Sequence, residues 1–387
     1  MKILIIHDKY LLESGGCEKI CTFLANSFSS INNQVKILTY EETTQSPAYP
    51  PVPSVEVVNL FNDYELALKK QIEIRKYKGA NPIKWLLYKI KRKIDKNSNK
   101  NLLKRLGGRD GIYMYNLNCK AQLWNNYILV DKPDVIITLN LSTALEVLHH
   151  KKHDVPVINS VNGRPDFDYT NILWTKSDLE ISLLRDCYQY LSGYQLLLSS
   201  YVPYLPNPRK GICKVIGNPI SQINKVDLVN HSTVKERYII SHVGSLALDH
   251  KQQDIAIKVF ASISNKYPNW DMHFYGVGKD LYLLEDLIQR LNLTKRVFLK
   301  GFTSKPINEL RNSDIFIFPS KFEGFPLALT EAMSVGLPCL GFSSCAGVNE
   351  LIKHGETGFL AANDDELKIH LTQLISSPEL RSKMGTL

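Results

Sequence analysis

At 387 residues the chain is too long for one ordinary hydrophobic core, so two domains are expected. Hydrophobic residues at 44% and charged residues at 22% are ordinary for a globular protein, and no segment approaches the ~20 apolar residues of a spanning helix, which excludes an integral membrane class. The net charge of +9 is not spread evenly: between Glu65 and Arg109 fifteen Lys or Arg face three acids, a local +12 that leaves the rest of the chain at −3.

The chain opens on Lys2-Ile3-Leu4-Ile5-Ile6-His7-Asp8, too short for a signal peptide and apolar enough for a buried first strand at Ile3–His7. Gly16 to Ser29 has the apolar stripe of a helix, and Val35–Thr39 and Val55–Asn59 are further strands, separated by the loop Tyr49-Pro50-Pro51-Val52-Pro53. Inside the basic segment 65–109, Ile83, Leu86, Leu87, Ile90 and Ile94 recur at helical spacing with Lys and Arg between them. This is an amphipathic basic helix with Trp85 and Tyr88 of the kind found at lipid–water boundaries. Docking on an anionic membrane surface is the favoured reading, a solvated basic face the second and nucleic-acid binding the third. No zinc-finger, RNA-recognition or helix-turn-helix pattern supports the last.

Val135–Leu139 and Val157–Ser160 are later parallel strands, and a domain junction is placed near Gly217-Asn218-Pro219, ahead of a polar stretch at 221–236. The second half alternates strands at Tyr238–Val243, His273–Tyr275, Val297–Leu299, Ile315–Phe318 and Cys339–Gly341 with helices at Gln252–Lys266, Leu281–Leu291, Ile307–Ser313 and Pro326–Val335. Such alternation predicts doubly wound parallel sheets. The seven cysteines form no CxxC pair, and an odd count without a secretory signal points to reduced thiols in a cytoplasm. Gly276-Val277-Gly278 lacks the third glycine and the acid of a dinucleotide fingerprint, so NAD binding is not read from it. Asp166-Phe167-Asp168 follows no recognisable metal-dependent nucleotide strand, and no metal or other cofactor is expected.

The richest stretch is Phe322-Glu323-Gly324-Phe325-Pro326-Leu327-Ala328-Leu329-Thr330-Glu331-Ala332-Met333, which follows a buried strand and enters a helix, with Pro326 expected at the first helical position. Two carboxylates, Glu323 and Glu331, stand eight residues apart, one in the loop and one about two turns into the helix. In open α/β sheets ligands bind at the carboxyl ends of strands. The first amides of the helix, at Leu327 and Ala328, favour phosphate, and the carboxylates accept from hydroxyls. Phosphate-binding amides beside hydroxyl-binding acids fit a nucleotide-sugar.

The run EGFPLALTEAMSVGLP resembles the E-x7-E signature of the retaining, family-4 type glycosyltransferases with the GT-B fold. The similarity continues through Ser14-Gly15-Gly16-Cys17-Glu18-Lys19, like the Gly-Gly loop after the first strand, and Ile216-Gly217-Asn218-Pro219-Ile220, like the interdomain junction. Val243-Gly244 with Lys251, Phe274 to Gly278, Val297 to Phe302, Gly347 to Glu350 and Gly355 to Phe359 are each similar to second-domain positions. The resemblance implies an α/β chain with two Rossmann-like domains facing a central cleft. Residues 1–217 would bind the acceptor and carry the insertion 65–109, and residues 218–387 would bind the nucleotide-sugar.

By the same resemblance Glu323, Lys251 and Gly16 are the catalytic positions. Glu323 would grip the donor sugar's hydroxyls, Lys251 the diphosphate and Glu331 the ribose. Gly324, Phe325 and Leu327 would line the sugar–phosphate site. Gly15 and Gly16 would let backbone approach the phosphates, and the base would lie near Gly276, Val297 and Leu299. Two positions depart from the family: Ser245 stands where an arginine is usual, and Asn162 where a histidine is usual near the sugar. Asn162, Arg164 and Asp166 are the acceptor-side candidates. The chain ends about where similar proteins begin a helix that crosses back to the first domain, which implies a looser clamp.

The implied activity is retaining, metal-independent transfer of a hexose or N-acetylhexosamine from a nucleotide-sugar, UDP-linked by preference. The acceptor would be a lipid-linked or surface glycan in bacterial capsule, O-antigen or lipopolysaccharide synthesis, at the inner face of the plasma membrane. A sugar-nucleotide epimerase on the same fold and a non-catalytic nucleotide-sugar-binding subunit are the alternatives.

Overall fold

The computed structural model describes the chain except residues 14, 75, 76, 78, 80, 173, 174, 221, 222 and 387. Ser14 of the glycine loop and Arg75, Lys76 and Lys78 of the basic segment therefore lie outside the described residues. The chain divides into two compact units, Met1–Ile216 and Gly217–Leu387.

The first unit runs β1 (Lys2–Ile6), α1 (Gly16–Ser30), β2 (Gln34–Thr39), β3 (Val55–Asn59), α2 (Pro82–Leu106), α3 (Gly108–Asp131), β4 (Val135–Thr138), α4 (Leu141–Leu148), β5 (Val157–Ser160), α5 (Asp178–Cys187), β6 (Gly193–Leu196) and β7 (Ile212–Val215). Its seven strands are all parallel, in the order β3-β2-β1-β4-β5-β6-β7. A parallel sheet covered on both faces needs strands apolar on both sides, and the buried run of β1 and the fully buried β4 supply it. Ile3, Ile5, Val35, Ile37, Val135 and Ile137 form the core under α1.

The second unit runs β8 (Tyr238–Val243), α6 (Leu248–Lys251), α7 (Gln253–Ile263), β9 (Trp270–Tyr275), α8 (Leu281–Arg290), β10 (Val297–Gly301), α9 (Pro306–Arg311), β11 (Ile315–Phe318), α10 (Leu327–Ser334), β12 (Cys339–Phe342), α11 (Val348–Leu351), β13 (Gly358–Ala361), α12 (Asp364–Ser376) and α13 (Pro378–Gly385). Its six parallel strands lie in the order β10-β9-β8-β11-β12-β13. Phe316 and Phe318 of β11 join Ile240, Met272 and Phe274 in the core. The two doubly wound parallel sheets predicted from strand–helix alternation are present.

Two local readings change, and one helix is not read from the sequence. The helix after Glu323 starts at Leu327, not Pro326: Pro326 has φ −72° and ψ 87°, outside the helix, and its carbonyl accepts from the amides of Leu329 and Thr330. Proline is thus the last residue before the helix, and Leu327 and Ala328 supply its first amides. The basic helix does not end near Ile94 but runs to Leu106, where Gly107 turns the chain at φ 78°. Helix α3 carries the buried residues Ile112, Leu117, Ala121, Leu123, Trp124 and Ile128, although asparagines break its apolar period. Those polar groups are satisfied inside: Trp124 Nε1 donates to Glu146 Oε2 at 2.9 Å, and Asn125 Nδ2 to the Ala121 carbonyl at 2.8 Å.

Phe316 is fully buried at the centre of the second core, so Phe316→Ala should lower the unfolding free energy by about 3–5 kcal/mol. Urea unfolding followed by circular dichroism would show it.

Candidate functional site

In the second sheet the chain steps outward from β8 through β9 to β10 on one side and from β11 through β12 to β13 on the other. The carboxyl ends of β8 and β11 are therefore a topological switch point, where the connections part and leave a crevice. The segments leaving these two ends carry the predicted residues. After β8 come Gly244, Ser245 and the short helix α6, which ends on Lys251. After β11 come Pro319, Ser320 and the loop holding Glu323 and Gly324, then α10.

Lys251 and Glu323, 72 positions apart in sequence, meet: Nζ lies 2.6 Å from Glu323 Oε1. Both side chains are largely shielded, at 16% and 9% exposure, so the attraction is weakly screened. The Lys251 ammonium also lies 5.3 Å from the centre of the Phe318 ring, a cation–π contact. The amide of Lys321 donates to the His250 carbonyl at 2.8 Å and fastens the two segments together. Cys345, in the loop after β12, feels both charges. Burial first, and then Glu323, push its thiol up to about 12 against the opposing pull of Lys251.

The floor under Lys251 is a buried polar network. His242 is fully buried between Phe274 and Phe318, each with a ring centroid 5.5 Å away. Its Nδ1 donates to the Ile317 carbonyl at 3.0 Å, which can only accept, so Nε2 is left to accept from the Gln253 amide at 3.4 Å. That same amide donates to the Ser245 carbonyl at 2.7 Å and fixes the loop. Burial, and secondarily Lys251, hold the His242 imidazole down to about 4 despite the favourable Ile317 bond, so it is neutral.

The loop after β9 presses on the loop after β8. Gly276 has φ 150°, and a Cβ there would lie 1.9 Å from the Gly244 carbonyl oxygen; one on Gly278 would lie 2.2 Å from the Leu246 carbonyl oxygen. Only glycine allows these turns to approach so closely. Leu246 donates to the Val277 carbonyl at 3.0 Å, and Asp280 Oδ2 accepts from the Leu248 amide at 2.8 Å, starting α6.

The remaining predicted positions divide. Glu331 lies in the second turn of α10, buried at 7% exposure. Phe325, Leu327 and Gly324 are half-buried in the loop and at the helix start. Val297 of β10 points into the core and Leu299 packs against it. Ser245 offers a hydroxyl and no charge where the resemblance would put an arginine.

The first unit has its own switch point, between β1 and β4. Gly15 is the N-cap of α1, and its amide donates to Glu18 Oε2 at 2.6 Å, while His7 Nε2 lies 2.8 Å from Glu18 Oε1. His7 and Glu18 are both buried, so one carboxylate ties the end of β1 to the glycine loop. Asp8 Oδ1 accepts from Asn140 Nδ2 at 3.0 Å and Thr143 Oγ1 at 3.3 Å, joining the ends of β1 and β4. Of the acceptor-side candidates, Asn162 donates to the Leu139 carbonyl at 2.7 Å. Arg164 makes a two-pronged pair with Asp166 at 2.7 and 2.9 Å and stacks on Phe167 and Tyr204. Asn162 is thus spent on the backbone after β4, and Arg164 and Asp166 on each other. Asp168 is held up to about 6 by burial and Asp166, against Lys176. Among the described residues no three of His, Cys, Asp and Glu converge as a metal-binding group.

Sequence reasoning missed His242, Gln253, His7, Glu18 and Asp8. The available signal was polar residues at the carboxyl ends of apolar strands: His242 near the end of β8, and His7-Asp8 directly after β1.

Residues 226–386 match the family model described as glycosyl transferases group 1. An uncharacterized glycosyltransferase of Haemophilus influenzae is 33% identical over 172 residues, 44% of this chain and 47% of that protein. The lipopolysaccharide 1,6-galactosyltransferase of Salmonella typhimurium is 24% identical over 263 residues, 65% of this chain and 68% of that one. The chain thus spans from about half to two thirds of the length of these relatives. A solved structure of the S. aureus protein TarM, a mutant in complex with fondaparinux, alpha-GlcNAc-glycerol and UDP, superposes with a TM-score of 0.74 at 14% identity, covering 100% of this chain and 95% of that one. The fold is GT-B, and homologues lie among lipopolysaccharide and polysaccharide glycosyltransferases.

Gly276→Ala should destabilise the second unit by about 3 kcal/mol or more, since backbone rather than a flexible side chain stands in the way; thermal or urea unfolding reads it. His242 generates a pH dependence. Its unfolded-state value is 6.5 and its folded value about 4, so the unfolded chain takes up the proton first. The contribution is complete above pH ~6.5 and lost as pH falls towards ~4, about 3 kcal/mol in all. His273, also lowered to about 4 by burial and then Lys300, adds in the same direction. His242→Asn should flatten the slope of unfolding free energy between those pH values.

Proposed function

We propose that this chain is a retaining glycosyltransferase that moves a hexose or N-acetylhexosamine from a UDP-linked sugar to a surface-glycan acceptor. In this reading the second unit holds the donor and the first unit the acceptor. The observation that carries it is the meeting of Lys251 and Glu323 across the switch point of the second sheet. A cation suited to diphosphate and a carboxylate suited to hydroxyls share one crevice, beside the first amides of α10 and the buried Glu331. The name of the Salmonella relative and the UDP in the TarM structure support the donor and the setting.

The chemistry asks for stabilisation of charge on a leaving diphosphate. As the sugar C1–O bond to the diphosphate breaks, negative charge grows on the phosphate oxygens, and Lys251 with the Leu327 and Ala328 amides meets it. Glu323 accepts from sugar hydroxyls and Glu331 from the ribose. The acceptor oxygen bonds to C1 on the same face, and its proton passes to the departing phosphate oxygen, which spares any histidine at Asn162. Ser245 adds a hydrogen bond without charge, so more of the clamp falls to Lys251 than where an arginine follows the glycine.

Lys251 is engaged by Glu323, so the donor must part the pair. Taking Lys251 for its diphosphate frees Glu323 for the sugar. Glu323→Gln should therefore bind UDP more tightly than the wild type by several-fold, while transfer falls about a hundredfold or more; Lys251→Ala should weaken UDP about tenfold and lower transfer by about 10²–10³. Titration calorimetry with UDP and UDP release from a panel of UDP-sugars measure both. A wild type that binds UDP-sugars with no turnover, with or without acceptor, would leave only a binding subunit. Turnover unaffected by a chelator is expected.

A further inference from the structure

Helix α2 presents two opposite faces. One face meets the protein: Tyr88, Asp95, Asn99, Leu102, Leu103 and Leu106 are its half-buried residues, and at 100° per residue they fall on one side of the helix. Tyr88 stacks on Tyr77 at 5.8 Å, the Asn99 amide pairs with both the backbone N–H and carbonyl of Ile72 at 2.8 and 2.9 Å, and the helix packs along α3. The other face is apolar and uncovered. Ile83, Leu86, Leu87, Ile90 and Ile94 are 71%, 55%, 61%, 53% and 59% exposed, at the spacing of a single stripe. At 100° per residue that stripe lies roughly 140° around the helix from the contact face. No residue of α2 is buried.

Basic residues line the stripe on both sides, Lys84 and Lys91 on one and Lys89, Lys93 and Lys100 on the other, and the helix holds nine Lys or Arg against Asp95 alone. Lys89 Nζ sits 3.7 Å from the centre of the Trp85 ring, which is 45% exposed on the flank of the contact face. We infer that α2 lies flat on an anionic lipid surface with Ile83, Leu86, Leu87, Ile90 and Ile94 in the acyl boundary and the lysines at the headgroups. An apolar centre flanked by cations matches that interface. The stripe spans three turns, far short of a bilayer, and no helix among the described residues is long and apolar enough to cross one. A second copy of the helix would set lysines against lysines, and a nucleic acid would meet an aliphatic strip where it needs charge.

The test is sedimentation of the full chain with vesicles of phosphatidylcholine alone or mixed with phosphatidylglycerol. The chain should partition onto the mixed vesicles about tenfold or more above the neutral ones, and added salt should weaken it. Leu87→Glu with Ile90→Glu should remove about tenfold or more of that binding while the melting temperature stays put, because both side chains are more than half exposed. Lys89→Glu with Lys93→Glu should abolish the preference for phosphatidylglycerol, an arm that does not alter the stripe. Wild-type protein left in the supernatant with both vesicles, or stripe variants that pellet like the wild type, would overturn the inference. So would a wild-type dimer in analytical ultracentrifugation that the stripe variants break, or DNA binding that the stripe variants lose.

Discussion

Two adjacent parallel strands whose chains leave in opposite directions cannot both be roofed by their own crossover helices. That constraint acts at β8 and β11, and the candidate site is what the sequence does with the opening. Lys251 arrives on a helix of four residues after β8, and Glu323 on a loop of about the same reach after β11. Their contact depends on a floor that does not move. His242, Gln253 and the Ser245 carbonyl are bonded in series below them, and the β9 turn is pressed into the β8 loop by glycines. A charge pair at 2.6 Å in half-dry surroundings is only as fixed as the backbone beneath it.

The first unit meets the same opening with neutral and acidic groups. Glu18 holds His7 and the Gly15 amide together, and Glu41 takes the amides of Leu11 and Leu12 at 2.8 and 2.9 Å. The loop between β1 and α1 is thus tied from both ends by buried carboxylates. Behind it Lys120 pairs with Glu146 at 2.7 Å, where burial raises the Glu146 carboxyl and Lys120 opposes the rise.

The sequence makes the fold legible where burial is two-sided. Runs such as Ile3 to Ile6 and Ile315 to Phe318 have no other reading, and the switch from these runs to helical period marks each crossover. It is less legible where tertiary contacts override local pattern. The partly exposed edge strand β7 (Ile212–Val215) lacks a clear apolar run, and α3 hides its period behind asparagines, of which Asn116 and Asn118 bond to Lys69 and His149 outside the helix. Proline at 326 is compatible with both sides of a helix boundary, and only the carbonyl bonds decide. Of the site, Glu323, Glu331 and Lys251 could be named one by one. That the first and the last are joined could not, since nothing local in the chain records a meeting 72 residues apart. The inward turn of Arg164 upon Asp166 is likewise a matter of rotamers, not of spacing.

The register of β1 carries a consequence for how the molecule assembles. Ile3 pairs with Val35 on one side and with Val135 on the other. Once made, β1 can find its near neighbour within a few dozen residues, but its far edge stays bare until residue 135 has been made. Closing so wide a loop is slow, and an open apolar edge invites wrong partners in the meantime. Nascent chains of this protein should lean on chaperones until residue 138 has emerged, whereas the second sheet, whose central strands β8 and β11 lie closer together in sequence, has a shorter wait.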